Sequence, residues 1–293
     1  MLSTLALHLG AHKTATTTLQ RAFDSRRREL LRLGTGYLGP GDLRDEPDLV
    51  FPKPEMAPDR VAQVQGRTAR VLDTLVPAAL GARRSRLLLS EENILGTPRL
   101  MLRHAALYPG LTARLGALPA DWDMAGTHVF LSIRDYAGFF ASCHSTVAQQ
   151  GVWVPFGAEE RAALARMPRR WPDVVADIRA TLPAARLTVW RYEELHATGQ
   201  AVVEAMAGGP FEIDLAGPGA MGALSAGAMA GIAAASAAAG GARLPGAQVR
   251  RIRQGTEGSG PYDPWEPETR AALSDLYAED CARIGRMDGV ELL

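Results

Sequence analysis

Four short apolar runs, at 5–9, 86–90, 128–133 and 186–190, each lead into a polar or charged cluster and then into a stretch with apolar residues at helical spacing. Continuous apolar runs of this length suit strands buried on both faces, and strands that alternate with helices imply a parallel sheet with right-handed crossovers. The expected fold class is therefore α/β, a parallel β-sheet flanked by helices on both faces. Ligands bind off the carboxyl ends of the strands in such sheets. The polar clusters fall at those ends: 10–15, Glu91-Glu92-Asn93, Arg134-Asp135 and Arg191-Tyr192-Glu193-Glu194.

Helical patterns are expected at about 16–33, 58–80 and 98–118, from Arg134-Asp135 through about Gln150, and at 223–239, 245–254 and 266–286. The chain therefore reads as one domain over 1–293, with a helical insertion at about 97–122 and a helical C-terminal segment at about 220–293. Residues 34–58 are rich in Gly, Pro and Asp and read as an irregular excursion, a lid or substrate edge. On the helix at 58–80, Val61, Val64, Val71, Leu72 and Leu75 make the expected inward face. The triple arginine 26–28 reads as a solvated face.

The first polar cluster carries the sharpest chemistry. Gly10-Ala11-His12-Lys13-Thr14-Ala15 joins a buried strand to a helix that opens Thr16-Thr17-Thr18. The first N–H groups of a helix lack internal partners and face along the positive end of its dipole, so an anion placed there meets donors already aimed at it. The hydroxyls and the Lys13 ammonium add to that field. Of the 32 basic residues only Lys13 and Lys53 are lysine, so Lys13 breaks a habit of arginine where a narrow loop favours a compact charge. Lys53, between two prolines, reads as an exposed loop residue.

Lys13-Thr14-Ala15-Thr16-Thr17 resembles the 5′-phosphosulfate loop of sulfotransferases that use 3′-phosphoadenosine 5′-phosphosulfate, whose pattern is Lys-[Ser/Thr]-Gly-[Thr/Ser]-Thr between strand and helix. Ala15 stands where that family has glycine, the residue suited to a positive φ. A nucleoside triphosphate P-loop fits less well, because His12 precedes Lys13 and Gly10 is the only nearby glycine. Arg134 followed eight positions on by Ser142 resembles the family's 3′-phosphate motif. An arginine fork and a hydroxyl two helical turns on can converge on one anion; a surface Arg134–Asp135 pair is the other reading. Arg253-Gln254-Gly255-Thr256-Glu257-Gly258 resembles the element that closes over the 3′-phosphate, with glutamine in place of lysine, and reads equally as a helix C-cap. Tyr192-Glu193-Glu194-Leu195 resembles a structural stretch after the fourth strand.

The resemblance implies a P-loop-like three-layer α/β/α fold that moves a sulfuryl group from this donor to a hydroxyl or amine, with no metal expected. It implies Lys13, Thr14, Ala15, Thr16, Thr17, Arg134, Ser142, Arg253 and Gly255 as donor-binding residues. Lys13 would stabilise charge on the leaving group and Glu92 would take the acceptor proton, since Ser90-Glu91-Glu92 matches the Ser-x-Glu form of bacterial members. Glu91 is the competing base, the two carboxylates capping the next helix is the plainer alternative, and His104 and His144 are held in reserve. Repulsion between the two carboxylates is expected to raise one pKa. A P-loop kinase or nucleotide hydrolase, and a degenerate non-catalytic nucleotide- or partner-binding protein, stay open.

The formal net charge of zero and pI of about 7.0 give no global argument for nucleic acid or an anionic membrane as partner. Cys143 and Cys281 have no metal-ligand spacing and suit the reduced thiols of a cytosolic protein. No leader and no membrane span is expected; the Ala/Gly-rich stretch 220–242 reads as a close-packed helix that could serve a homo-oligomer. Sugar, lipid, phenol and small metabolite are all open as acceptors, with 34–58, 97–122 and 151–170 shaping the pocket and Tyr108, Trp153 and Phe156 available to line it.

Overall fold

The computed structural model describes residues 2–81, 85–124, 126–215, 223–256 and 258–293. In chain order the elements are β1 (Thr4–His8), α1 (Thr16–Ser25), α2 (Arg27–Arg32), β2 (Thr35–Leu38), α3 (Pro40–Leu43), α4 (Pro58–Leu80), β3 (Arg86–Ser90), α5 (Pro98–His104) and α6 (Leu111–Leu115). There follow β4 (Thr127–Ile133), α7 (Tyr136–Gln149), α8 (Ala158–Ala165), α9 (Trp171–Thr181), β5 (Arg186–Arg191), α10 (Leu195–Ala207), α11 (Ala226–Ala238), α12 (Gly246–Gln254), α13 (Pro267–Ile284) and β6 (Val290–Leu292). Short 3-10 turns lie at Glu92–Ile94, Ala120–Trp122 and Tyr192–Glu194.

The six strands form one parallel sheet in the order β2-β3-β1-β4-β5-β6. Because side chains alternate across a strand, the apolar runs feed two cores. Leu5, Leu7, Leu9, Leu87, Leu89, Val129, Leu131 and Val189 pack one face against α4, α5, α7, α9 and α13. Ala6, Leu88, Phe130 and Trp190 pack the other against Leu19 and Phe23 of α1, Leu30 of α2 and Val202, Val203 and Met206 of α10. The result is the three-layer α/β/α architecture, and it places β1 centrally with the 10–15 loop at its carboxyl end.

Several expectations change. Residues 34–58 are not an irregular excursion throughout: β2 and α3 lie there, and Gly36 lets α4 close on β2, since a Cβ at that position would sit 2.5 Å from the Ala79 carbonyl oxygen. The expected helix at 16–33 breaks at Arg26, whose backbone leaves helical geometry (φ −119°, ψ 30°) while its guanidinium grips the Glu29 carboxylate. Arg26 and Arg27 are thus ion-paired rather than merely solvated. The helical insertion after β3 consists of two short helices, α5 and α6, and a 3-10 turn. On α4 the buried positions are Val64, Thr68, Leu72, Val76 and Leu80, so Val61, Val71 and Leu75 flank the stripe. Residues 220–222 and Glu257 lie outside the described residues. No helix among the described residues is long and apolar enough to cross a membrane.

Two buried histidines make stability depend on pH. His8 is fully buried on β1, with Nδ1 2.7 Å from Ser90 Oγ. His144 on α7 donates from Nε2 to the Val154 carbonyl, which can only accept, so its Nδ1 accepts from the Tyr262 hydroxyl. Burial lowers both pKa values to about 4. The unfolded chain therefore takes up these protons first as pH falls below about 6.5. Stability present at pH 7 is expected to decline down to about pH 4, by on the order of 2 kcal/mol per histidine at about pH 5. Urea unfolding at the two pH values checks this, and His144→Gln should flatten the decline.

Candidate active site

The loop after β1 is wound on its own backbone and turns a row of N–H groups toward a cavity. The Ala11 carbonyl accepts from the hydroxyls of Thr14 (2.7 Å) and Thr16 (2.8 Å), and the Ala11 N–H donates to Thr14 Oγ1 (3.3 Å), which winds the loop onto itself. Thr14 therefore points inward and contributes no hydroxyl to the cavity. Gly10, Lys13 and Ala15 all have left-handed backbone, with φ of 57°, 66° and 62°. The glycine that Ala15 replaces is thus not required for the positive φ. Among the described residues no acceptor is bonded to the backbone N–H of Lys13, Thr14, Ala15, Thr16 or Thr17. Successive free N–H groups at a left-handed turn entering a helix form a concave site for an anion.

The Cβ of Ala15 in this region costs roughly 1–2 kcal/mol, against about 0.5–1 kcal/mol for the greater freedom of an unfolded glycine. Ala15→Gly is therefore expected to keep the loop and raise the unfolding free energy by up to about 1 kcal/mol in urea titrations. A fall of that size would show that the methyl makes packing contacts that outweigh the backbone relief.

Lys13 is half-buried and makes no ion pair among the described residues. Burial lowers its ammonium pKa, a shift opposed by the neighbouring Cys143 and reinforced by Arg134. Cys143 is itself fully buried, which pushes its thiol up to about 12 and leaves it protonated at neutral pH. Arg134, at the end of β4, donates from Nη1 to the Lys13 carbonyl (2.7 Å) and lies 4.6 Å from the centroid of the Tyr192 ring. Its approach to Asp135 is loose, at 3.9 Å. Arg134 is therefore a brace for the loop as well as a free cationic face, rather than one half of a surface pair.

A cavity of about 670 Å³ runs from this loop across the carboxyl ends of β1, β3 and β4. Lys13, Ala15, Thr16, Thr17, Arg134 and Ser142 line it together, as does Glu92. Arg253 and Gly255 do not; both are exposed at the end of α12, where the Gly255 N–H donates to the Arg251 carbonyl as an ordinary cap. That end is nonetheless tied to the cavity wall, because Ser225 Oγ donates to the Thr256 carbonyl (3.1 Å) two residues after Ala223, which lines the cavity.

The two glutamates divide their roles. Glu91, almost fully buried, accepts from Arg44 through both oxygens (2.9 and 2.8 Å) and from the Asn93 N–H (3.0 Å), so it caps the 3-10 turn. Glu92 faces the cavity, with Oε2 accepting from Gln20 Nε2 (2.7 Å) and Oε1 from Arg44 Nη2 (2.8 Å). Burial pushes the Glu92 carboxyl up, but His12, Arg44 and Gln20 pull it down further, and it lies below its usual range. Burial keeps His12 neutral near pH 7, so Arg44 and Gln20 are the partners that act there. Glu92 moves opposite to the rise expected from repulsion, with the Arg44 guanidinium set between the two carboxylates. His104 pairs with Glu55 (2.8 Å) and lies outside the cavity, and His144 has both ring nitrogens occupied, so neither histidine is placed as a base here.

Gln20, Arg44, Asn93 and Arg99 were not singled out by sequence pattern. Gln20 lies one helical turn after Thr16 on α1, a signal available in the spacing. Arg44 is brought by β2 and α3, which the composition of 34–58 concealed. Tyr108, Trp153 and Phe156 do not line the cavity: Tyr108 is fully buried with its hydroxyl accepting from the His12 N–H (3.0 Å), while Trp153 and Phe156 pack on the His144 ring. Glu193 is structural, accepting from the Asp135 N–H (3.0 Å) and the Tyr277 hydroxyl (2.9 Å). Compared with family models, curated proteins and solved structures, the chain matches none.

Proposed function

We propose that the chain is a sulfotransferase that moves a sulfuryl group from 3′-phosphoadenosine 5′-phosphosulfate to a hydroxyl or amine. The observation that carries this reading is Lys13, without an ion-pair partner, set among five free backbone N–H groups in a cavity that Arg134 and Ser142 also reach. That donor set suits two anionic groups. The loop amides and Lys13 would hold the 5′-phosphosulfate, and Arg134 with Ser142 the 3′-phosphate.

In the reaction the acceptor oxygen or nitrogen bonds to sulfur while the bond from sulfur to the bridging oxygen breaks. That oxygen leaves with the electron pair on 3′-phosphoadenosine 5′-phosphate. Lys13 and the loop N–H groups stabilise the charge that grows there, a preorganised electrostatic role. Glu92, held ionised by Arg44 and Gln20, takes the acceptor proton. The test is a transfer assay with sulfur-labelled donor and panels of hydroxyl and amine acceptors. Label appearing on an acceptor supports the reading; label that never leaves the donor contradicts it.

A further inference from the structure

The strand order divides the cavity into two sides. On one side of the central loop, β4 and α7 supply Arg134, Ser142, Thr146 and Gln150; on the other, the segment after β3 supplies Glu92, Asn93, Thr97 and Arg99, joined by Arg44 from beyond β2. In the reaction proposed above, on which this inference rests, the donor occupies the loop and the β4 side. The β3 side is then the acceptor wall.

That wall is polar. Among the described residues its one apolar lining residue is Pro98, and no Phe, Tyr or Trp ring lines the cavity from this side. A phenol or lipid gains affinity by burying apolar surface against such groups, and the wall offers only Pro98. What it offers is guanidinium. Arg44 commits Nε and Nη2 to Glu91 and Glu92, and its Nη1 has no bond to the described residues. Arg99 lines the cavity, is exposed, and its guanidinium makes no hydrogen bond or ion pair to any described residue. The fork geometry of a guanidinium matches carboxylate, phosphate and sulfate.

We infer that the acceptor is a small, hydrophilic molecule carrying an anionic group beside the nucleophile that takes the sulfuryl group, with Arg99 as the anion's principal contact and Arg44 Nη1 as a second. Arg44, Glu91 and Glu92 together carry one net negative charge, which Arg99 brings to zero; because Glu91 is buried and bonded to Arg44 through both oxygens, the charged groups that line the cavity from this side are Arg44, Arg99 and Glu92, two guanidiniums against one carboxylate.

The test uses matched pairs with sulfur-labelled donor: glucose against glucuronate, inositol against inositol monophosphate, glycerol against glycerate and glycerol phosphate. The wild-type protein is expected to favour an anionic member by about tenfold or more in kcat/KM. Carboxylate and phosphate members separate the two headgroup chemistries. Arg99→Gln should erase the preference by raising KM with little change in kcat, and Arg99→Lys should restore part of it. Equal or greater use of the neutral members, a preference untouched in Arg99→Gln, or no transfer to any member would overturn the inference. Binding of 3′-phosphoadenosine 5′-phosphate to the same samples keeps the two levels apart. Its presence without charge preference sinks the acceptor assignment alone, and its absence sinks the sulfotransferase reading beneath it.

Discussion

Lys13→Ala is expected to lower kcat for sulfuryl transfer by on the order of 10²–10³-fold while leaving the fold intact. Under the proposed reaction the ammonium meets charge only as the bridging oxygen departs, so its loss falls on the transition state more than on donor binding. The stability side follows from the surroundings. Lys13 makes no ion pair among the described residues, is partly desolvated, and has the Arg134 guanidinium as a cationic neighbour. Alanine keeps the left-handed backbone at no greater cost than lysine, and the hydrogen bond from Arg134 goes to the Lys13 carbonyl, which alanine retains. Steady-state rates beside a thermal melt check both halves; an unchanged rate with an unchanged melt would remove Lys13 from the chemistry.

Glu92→Gln is expected to lower kcat/KM by about 10²–10³-fold, within the range of general base catalysis. The amide fills the same space but cannot take a proton at neutral pH. It can also offer its oxygen to only one of Gln20 and Arg44, leaving an N–H facing the other donor at a stability cost of about 1 kcal/mol. The pH profile carries a second signature. Only the ionised carboxylate is a base, and its pKa is held down, so the wild-type rate is expected to persist into acid beyond the ordinary carboxylate range. Gln20→Met and Arg44→Gln each remove a partner of the charged form. Both should raise the Glu92 pKa and move the acid limb of the profile to higher pH. A limb that does not move in either variant would mean that Glu92 does not titrate in the reaction.

The parts of the fold that sequence foretold are those fixed by local pattern. The strands β1, β3, β4 and β5 are continuous buried runs, and α4 carries a clean stripe between Pro58 and the Gly81 cap. The edge strands were hidden for physical reasons. β2 is four residues with Gly36 inside it, and β6 is three residues following Gly289, so neither has the length or β-branched content that marks a strand by itself. They form because a neighbouring strand edge supplies the hydrogen bonds. The break between α1 and α2 likewise comes from the grip of Arg26 on Glu29 and the Glu212 carbonyl, a contact reached from far along the chain.

At the site the same division holds. Lys13, Arg134, Ser142 and Glu92, drawn from strand ends and from the family resemblance, line one cavity. What sequence could not supply is how their neighbours modify them. Thr14 and Thr16 resemble exposed hydroxyls in the sequence, yet both bond to the Ala11 carbonyl. Glu91 and Glu92 look alike until Arg44, placed by β2 and α3, buries one and tunes the other. Arg253 and Gly255 follow a family-like pattern but stand outside the cavity wall in this conformation.

Under the proposed function, the cavity holds a nucleotide with anions at both its 5′ and 3′ positions. Calorimetric titration with 3′-phosphoadenosine 5′-phosphate, run beside adenosine 5′-monophosphate and beside ATP with magnesium, tests it most directly. The account predicts metal-independent binding of the bisphosphate about 10²-fold tighter than the monophosphate, because Arg134 and Ser142 add a charge-assisted grip on the second anion. Preference for ATP with magnesium, or binding of none of the three, would contradict it.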